Sequence, residues 1–198
     1  MDGDQSTALA PLPDGPFGAI LADPPWAFRN YSDRWHAEHP ESRWAGKHYG
    51  LLAREDLARI PVGDVAAPDC ALFMWAIGSM LPHALDLMAA WGFCYKTVAF
   101  VWTKMVKDGS RPCCGMGHWT RQSVEYVLLG TRGRPRRRSR RVQQAILQPR
   151  GRHSEKPESV QDRIEELVGG PYLELFARRA RPGWACWGNE VPVKNSNQ

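Results

Sequence analysis

Asp23, Pro24, Pro25 and Trp26 stand together where an apolar run, Phe17 to Ala22, ends. The group joins a carboxylate, two residues without a backbone N–H, and a large aromatic ring. A carboxylate at a strand end, held by a turn whose φ angles proline fixes, is an aimed acceptor. The Pro24 carbonyl offers a second acceptor beside it. Two acceptors next to an aromatic face suit an exocyclic amine on a flat ring. Such an amine is a poor nucleophile, because its lone pair is delocalised into the ring. Acceptors off the ring plane favour a pyramidal nitrogen and stabilise the positive charge that develops as it attacks an electrophile. What remains is positioning. A Pro-Pro pair alone also reads as a strand terminator with a tryptophan packed nearby. Asp23 turns the reading toward chemistry.

These four residues need a scaffold. Phe17–Asp23 reads as a short buried strand. Residues 27–50 are polar, aromatic and aperiodic, the pattern of a long functional or disordered loop. A short helix is expected over Arg54–Ile60, ended before Pro61. Strands are expected over Cys70–Ala76, Tyr95–Thr103 and Val124–Leu129, with a helix over Pro82–Trp91 that stops at Gly92. Residues 104–122 form a second polar loop. Pro157–Val168 is the clearest helix, ended by Gly169-Gly170. Two strands follow, Tyr172–Ala177 and Gly183–Trp187. Strands alternating with helices indicate an α/β fold with a mostly parallel, twisted sheet flanked by helices. Ligands of such sheets bind beyond the carboxyl ends of the strands, where Asp23 is placed. The chain shows no internal repeat and no linker. The expected organisation is a loose leader at 1–16, one domain at 17–191 with a basic loop at 131–152, and a tail at 192–198.

Composition bounds the function. Of 198 residues, 43% are apolar, enough for a core. No apolar stretch approaches the roughly 20 residues that span a bilayer. The first sixteen residues lack a basic n-region and an apolar h-region, so a cytoplasmic protein without membrane attachment is expected. Five cysteines, an odd count without framework spacing, argue against a disulfide scaffold. Cys113, Cys114 and His118 are a poor zinc set, since adjacent cysteines suit one tetrahedral site badly, and no metal is expected. The formal charge is +5, and seven arginines lie between Thr131 and Arg141. That run reads either as a solvated loop that repels itself open or as a flexible arm contacting nucleic-acid phosphates. Most of the nine tryptophans should be core, and some could stack on bases.

The ordered series ADPPW, KHYG (Lys47–Gly50), LFMWA, WGF, VWTK (Val101–Lys104), GHW (Gly117–Trp119), HSEKP (His153–Pro157), ELFAR (Glu174–Arg178) and WGNE (Trp187–Glu190) resembles the MT-A70 family. These are S-adenosylmethionine-dependent adenine-N6 methyltransferases. The resemblance covers residues 17–191. It implies a Rossmann-like methyltransferase fold with circularly permuted motif order, DPPW first and the cofactor segments last. It implies that Asp23, Pro24, Pro25 and Trp26 are the catalytic motif, and that Asp23, Lys156, Arg178, Asn189 and Glu190 bind S-adenosyl-L-methionine. Glu190 would accept from both ribose hydroxyls. Without the resemblance, Lys156 and Arg178 read as surface charge. Eukaryotic members have His and Asn shortly after the arginine that matches Arg178, whereas this chain has Ala180 and Arg181.

No sizeable recognition domain fits into this length. Substrate contact then falls to loops 27–50, 104–122 and 131–152, with Tyr49, Lys104, His118, Arg136, Arg137 and Arg138 as candidates. A compact chain resembles prokaryotic or phage members, which favours DNA over RNA. The expectation is methyl transfer to adenine N6 in DNA, by a monomer or as part of a homo- or heterodimer. The alternatives are adenine in RNA, cytosine N4, an amine on a protein side chain, and a catalytically silent nucleic-acid-binding subunit.

Overall fold

The computed structural model describes residues 10–26, 53–115, 117, 119–151 and 155–188. Seven strands form one sheet: β1 (Phe17–Ala22), β2 (Ala66–Ala76), β3 (Cys94–Met105), β4 (Val124–Arg132), β5 (Ala145–Pro149), β6 (Tyr172–Leu175) and β7 (Trp184–Trp187). Their spatial order is β5-β3-β4-β2-β1-β6-β7. β1 pairs parallel with both β2 and β6, β6 with β7, and β3 with β5; only β4 runs antiparallel to its neighbours, β2 and β3. The expected α/β, mostly parallel sheet is therefore present. The helices are α1 (Arg54–Arg59), α2 (Val62–Val65), α3 (Leu81–Ala90) and α4 (Ser159–Leu167).

Both faces of the central strands are apolar, as a covered parallel sheet requires. Along β1, Ile20 and Ala22 face one core with Leu72, Met74, Leu128, Leu173 and Leu175. Leu57 of α1 and Ala84, Leu87 and Met88 of α3 close that layer. Ala19 and Leu21 face a second core with Phe73, Trp75, Phe100, Trp102 and Val127. Val160 and Ile164 of α4 cover it, together with Val168 just beyond the helix. Ile164 is fully buried, so Ile164→Ala would cost about 3 kcal/mol through lost burial and a cavity. Gly92 ends α3 with φ +83°, a value that suits glycine. Trp91 then donates its indole N–H to Leu57 O at 2.9 Å and ties α3 to α1.

Three expectations change. β5 falls within the segment expected to be a basic loop, and parallel pairing with β3 holds it. The arginine run ahead of it is also held. Arg132 donates to Gly63 O, Arg134 N–H to Asp69 Oδ1 at 2.7 Å, and Arg138 N–H to Leu167 O at 2.8 Å. Finally, the described part of the leader is tied down. The Trp187 indole donates to Ala10 O at 2.8 Å, and Leu12 packs on the first core.

Candidate active site

The register aligns Ala22 with Met74 of β2 and Leu175 of β6, and Leu175 with Trp187 of β7. Four parallel strands thus present their carboxyl ends in one row. Asp23 is the next residue, and its N–H still reaches Leu175 O at 3.4 Å. Because β4 is antiparallel, its amino end, Val124 and Glu125, lies at this same edge, as does the carboxyl end of β3 with Lys104. The edge therefore collects charged residues from strands far apart in sequence.

They form a chain of alternating sign. Lys156 Nζ stands 3.0 Å from Asp23 Oδ2 and 3.2 Å from Glu125 Oε2. The other Glu125 oxygen accepts from Lys104. The Lys156 ammonium also lies 5.3 Å from the centroid of the Trp75 ring, and that of Lys104 5.3 Å from the Trp102 ring. The two tryptophans meet edge to face at 6.1 Å. Aromatic faces attract cations, so these rings hold both ammonium groups against the carboxylates. Burial opposes ionisation of Glu125, whose side chain is 12% exposed, but Lys156 and then Lys104 outweigh it and hold the carboxyl below its ordinary range. Burial likewise opposes the Lys156 charge, while Asp23 and Glu125 outweigh it and push the ammonium above its ordinary range.

A third carboxyl group joins from β6. Burial, reinforced by the Asp23 charge, pushes Glu174 up to about 7, against a 2.7 Å hydrogen bond from the buried Gln161 amide. The edge thus gathers three carboxyl groups, Asp23, Glu125 and Glu174, beside two ammonium groups, Lys104 and Lys156.

The turn itself is compact. Trp26 N–H donates to Pro24 O at 2.8 Å, which uses one of the two lone pairs of the expected acceptor. The half-buried Trp26 ring packs on the first core and donates its indole N–H to Trp75 O at 3.3 Å. Trp26 therefore has a packing role besides the stacking role expected of it.

The structure brings Asp23, Pro24, Pro25, Trp26, Lys104 and Lys156 to one edge. Arg178 follows β6 by three residues and is half-buried at the same end. Arg181, one of the departures from the eukaryotic pattern, turns to α4 instead: its guanidinium reaches Asp162 at 2.6 Å and Glu165 at 2.9 Å. Tyr49, His118, Asn189 and Glu190 lie outside the described residues.

Arg136, Arg137 and Arg138 do not join the site. Arg132 pairs with Cys70, at the amino end of β2, whereas Tyr126 pairs with Ala76 at the carboxyl end. Six residues of strand separate these levels, roughly 20 Å. Arg137 bridges to Val168 and the Arg138 guanidinium lies against Gly169, ahead of the amino end of β6. The three exposed arginines thus sit at the opposite end of the sheet from Asp23. Their charges there face the carboxyl end of α4, where cations are favoured. Sequence spacing alone does not tell at which end of a sheet a loop emerges.

Glu125, Glu174 and Gln161 were not legible as site residues. Glu125 sits in SVEYVLL, where one charge in an alternating strand reads as a solvent-facing position. Its partner Lys104 was visible only through the VWTK motif.

A mixed α/β sheet with charged residues gathered beyond the carboxyl ends of its parallel strands has them where ligands of such sheets bind. The MT-A70 family model matches residues 17–190, and the chain belongs to the MT-A70 methyltransferase family. It is 35% identical to the Type II methyltransferase M.MunI of Mycoplasma sp, over 91% of this chain and 80% of that protein. It is 28% identical to the N(6)-adenosine-methyltransferase MT-A70-like protein of Arabidopsis thaliana, and 26% identical to the human N(6)-adenosine-methyltransferase catalytic subunit METTL3. Each of these two matches covers 89% of this chain, but the chain spans only 24% and 28% of those proteins. Among the described residues, no helix is long and apolar enough to cross a membrane.

Proposed function

We propose that this chain transfers a methyl group from S-adenosylmethionine to the exocyclic N6 amine of adenine in DNA. The observation that carries the reading is Asp23 at the carboxyl end of β1, ion-paired to Lys156 and side by side with the end of β6. The Asp23 carboxylate there suits a cationic sulfonium. Lys156 and Arg178, with Asn189 and Glu190, would hold the cofactor, which when bound supplies an electrophilic methyl group. The parallel pairing of β1 with β6 supports a permuted motif order, since it sets the first motif of the chain beside its last segments.

The residues of the chain do the rest. Asp23 accepts one N6 hydrogen and the second lone pair of Pro24 O accepts the other. Both acceptors strengthen as the nitrogen becomes cationic. With the methyl group that the bound cofactor would supply, the nitrogen would become cationic and would then release one proton to Asp23 or water. No covalent enzyme intermediate is required. An amine inside a stacked duplex cannot reach both Asp23 and Pro24 O, so the adenine must be unpaired or flipped out. DNA is favoured over RNA because the chain matches the compact M.MunI over most of its length, but only about a quarter of the long adenosine methyltransferases. Incubation with labelled S-adenosylmethionine and either DNA or RNA, followed by nucleoside chromatography, tests the reading. Labelled N6-methyladenine from DNA is expected; label in RNA alone, or in cytosine, would overturn it.

A further inference from the structure

The connection between β3 and β4 stands on the same edge as Asp23, because β3 ends there and the antiparallel β4 begins there. It makes two turns: Met105 pairs with Pro112 across the first, where Gly109 N–H donates to Val106 O at 2.9 Å, and Gly115 meets Gln122 across the second. Cys113 N–H donates to Lys104 O at 2.6 Å, the Cys113 thiol to Met105 O at 3.0 Å, and Gly115 N–H to Gln122 O at 3.0 Å. A Cβ on Gly115 would collide with Gln122 O, and one on Gly117 with Thr120 O. At the tip Trp119 is 99% exposed, the most exposed large hydrophobic side chain among the described residues.

An uncovered indole on this connection is poised for contact, since tryptophan gains much from covering its ring. The neighbouring charges say what kind of surface covers it. Arg121 is exposed on the turn that carries Trp119, Lys107 and Arg111 are exposed on the first turn, and the one carboxylate of the connection, Asp108, already accepts hydrogen bonds from the Ser110 N–H at 2.9 Å and hydroxyl at 2.7 Å. An aromatic face among cations suits a base stacked beside phosphates. The carboxyl end of β3, where the connection starts, is joined to Asp23 through Lys104, Glu125 and Lys156, so the connection rises from the edge that holds Asp23.

We propose that Trp119 stacks on a base of bound DNA next to the target adenine and holds that adenine out of the helix. The proposal rests on the reading of the site as a DNA adenine methyltransferase. The test compares wild type, Trp119→Ala and Trp119→Phe in two assays. Binding to a fluorescein-labelled duplex, and to its single strand, is followed by anisotropy without cofactor. Extrusion is followed by the fluorescence of 2-aminopurine placed at the adenine that the wild type methylates. Trp119→Ala should weaken duplex binding about tenfold, the scale of one lost stacking contact, and abolish the rise in 2-aminopurine fluorescence. Trp119→Phe should restore both, and the single strand should lose the dependence on Trp119 for methylation, since its base is already free. An unchanged fluorescence rise in Trp119→Ala overturns the proposal while leaving the methyltransferase reading intact. A lower sedimentation mass of free Trp119→Ala than of wild type overturns it in favour of a contact between two copies. Absence of both DNA binding and methylation in the wild type overturns the reading of the site and this proposal together.

Discussion

Asp23 Oδ2 and Lys156 Nζ lie 3.0 Å apart, and this contact joins the turn after β1 to the segment ahead of α4. Asp23 is thus an acceptor already engaged by a cation, and its strength toward a substrate amine depends on where Lys156 is held. Asp23→Ala should lower kcat about a hundredfold or more, the cost of removing a group that acts on transition-state charge. Single-turnover methylation measures it, and near wild-type rates would remove Asp23 from the mechanism.

Lys156→Ala should raise the dissociation constant for S-adenosylmethionine, while DNA affinity at fixed salt changes little. Calorimetry with the cofactor and anisotropy with a duplex separate the two. Unchanged cofactor affinity with lost DNA affinity would place the cofactor elsewhere.

Glu125→Gln should destabilise the fold by about 2 kcal/mol, because Lys104 and Lys156 then face each other with one countercharge fewer. The value sits below that of a fully buried pair since the lysines are 29% and 21% exposed. Urea denaturation reads it. The pair also sets a pH range. Glu125 is held below 4.5 and contributes stability that is lost as pH falls through its folded value, while Lys156, held above 10.5, contributes stability lost as pH rises through its own. A midpoint equal to wild type at neutral pH would show that the network contributes nothing.

Glu174 acts with the opposite sign. Its carboxyl is raised from 4.5 to about 7 in the fold, so the folded state holds a proton that the unfolded chain has released. Stability from this group is present at low pH and is lost as pH rises across that window. Glu174→Gln should remove this slope between pH 4.5 and 7, and the difference between variant and wild-type denaturation midpoints across that range tests it. Parallel profiles would show that Glu174 titrates normally.

The exposed Arg136, Arg137 and Arg138 sit at the far end of the sheet, so their phosphate contacts need DNA long enough to reach them. Replacing all three with Ser should leave kcat unchanged. On long duplexes it should flatten the log K versus log salt slope by about 3 units if each neutralises a phosphate. On a short duplex confined to the Asp23 edge the two slopes should coincide. A lowered kcat on short DNA would bring these arginines back to the active site.

The sheet was legible to the extent that its strands carry apolar periodicity. β1, β2, β3, β4, β6 and β7 all show it, within a few residues of their ends. β5 does not, because AILQP is a short edge strand with Ala145, Leu147 and Pro149 exposed, and the arginine run before it dominates that stretch. The turn at Asp23 announced itself through proline chemistry. Glu125 had no such local mark and Glu174 was visible only as the first residue of ELFAR, since what makes them site residues is the register that brings three strands and the Lys156 segment to one edge. The arginines were read correctly as exposed, but topology alone decides which end of the sheet they occupy.

The position of β1 between β2 and β6 has a consequence for synthesis. Phe17–Ala22 is synthesised well before Tyr172–Leu175, the strand that covers its second edge. Until then the nascent chain carries an open, apolar β1 edge. The edge at Asp23 therefore cannot be completed before β6 has been made. The half-made protein depends on rapid completion, or on a chaperone, to keep that edge from pairing with another chain.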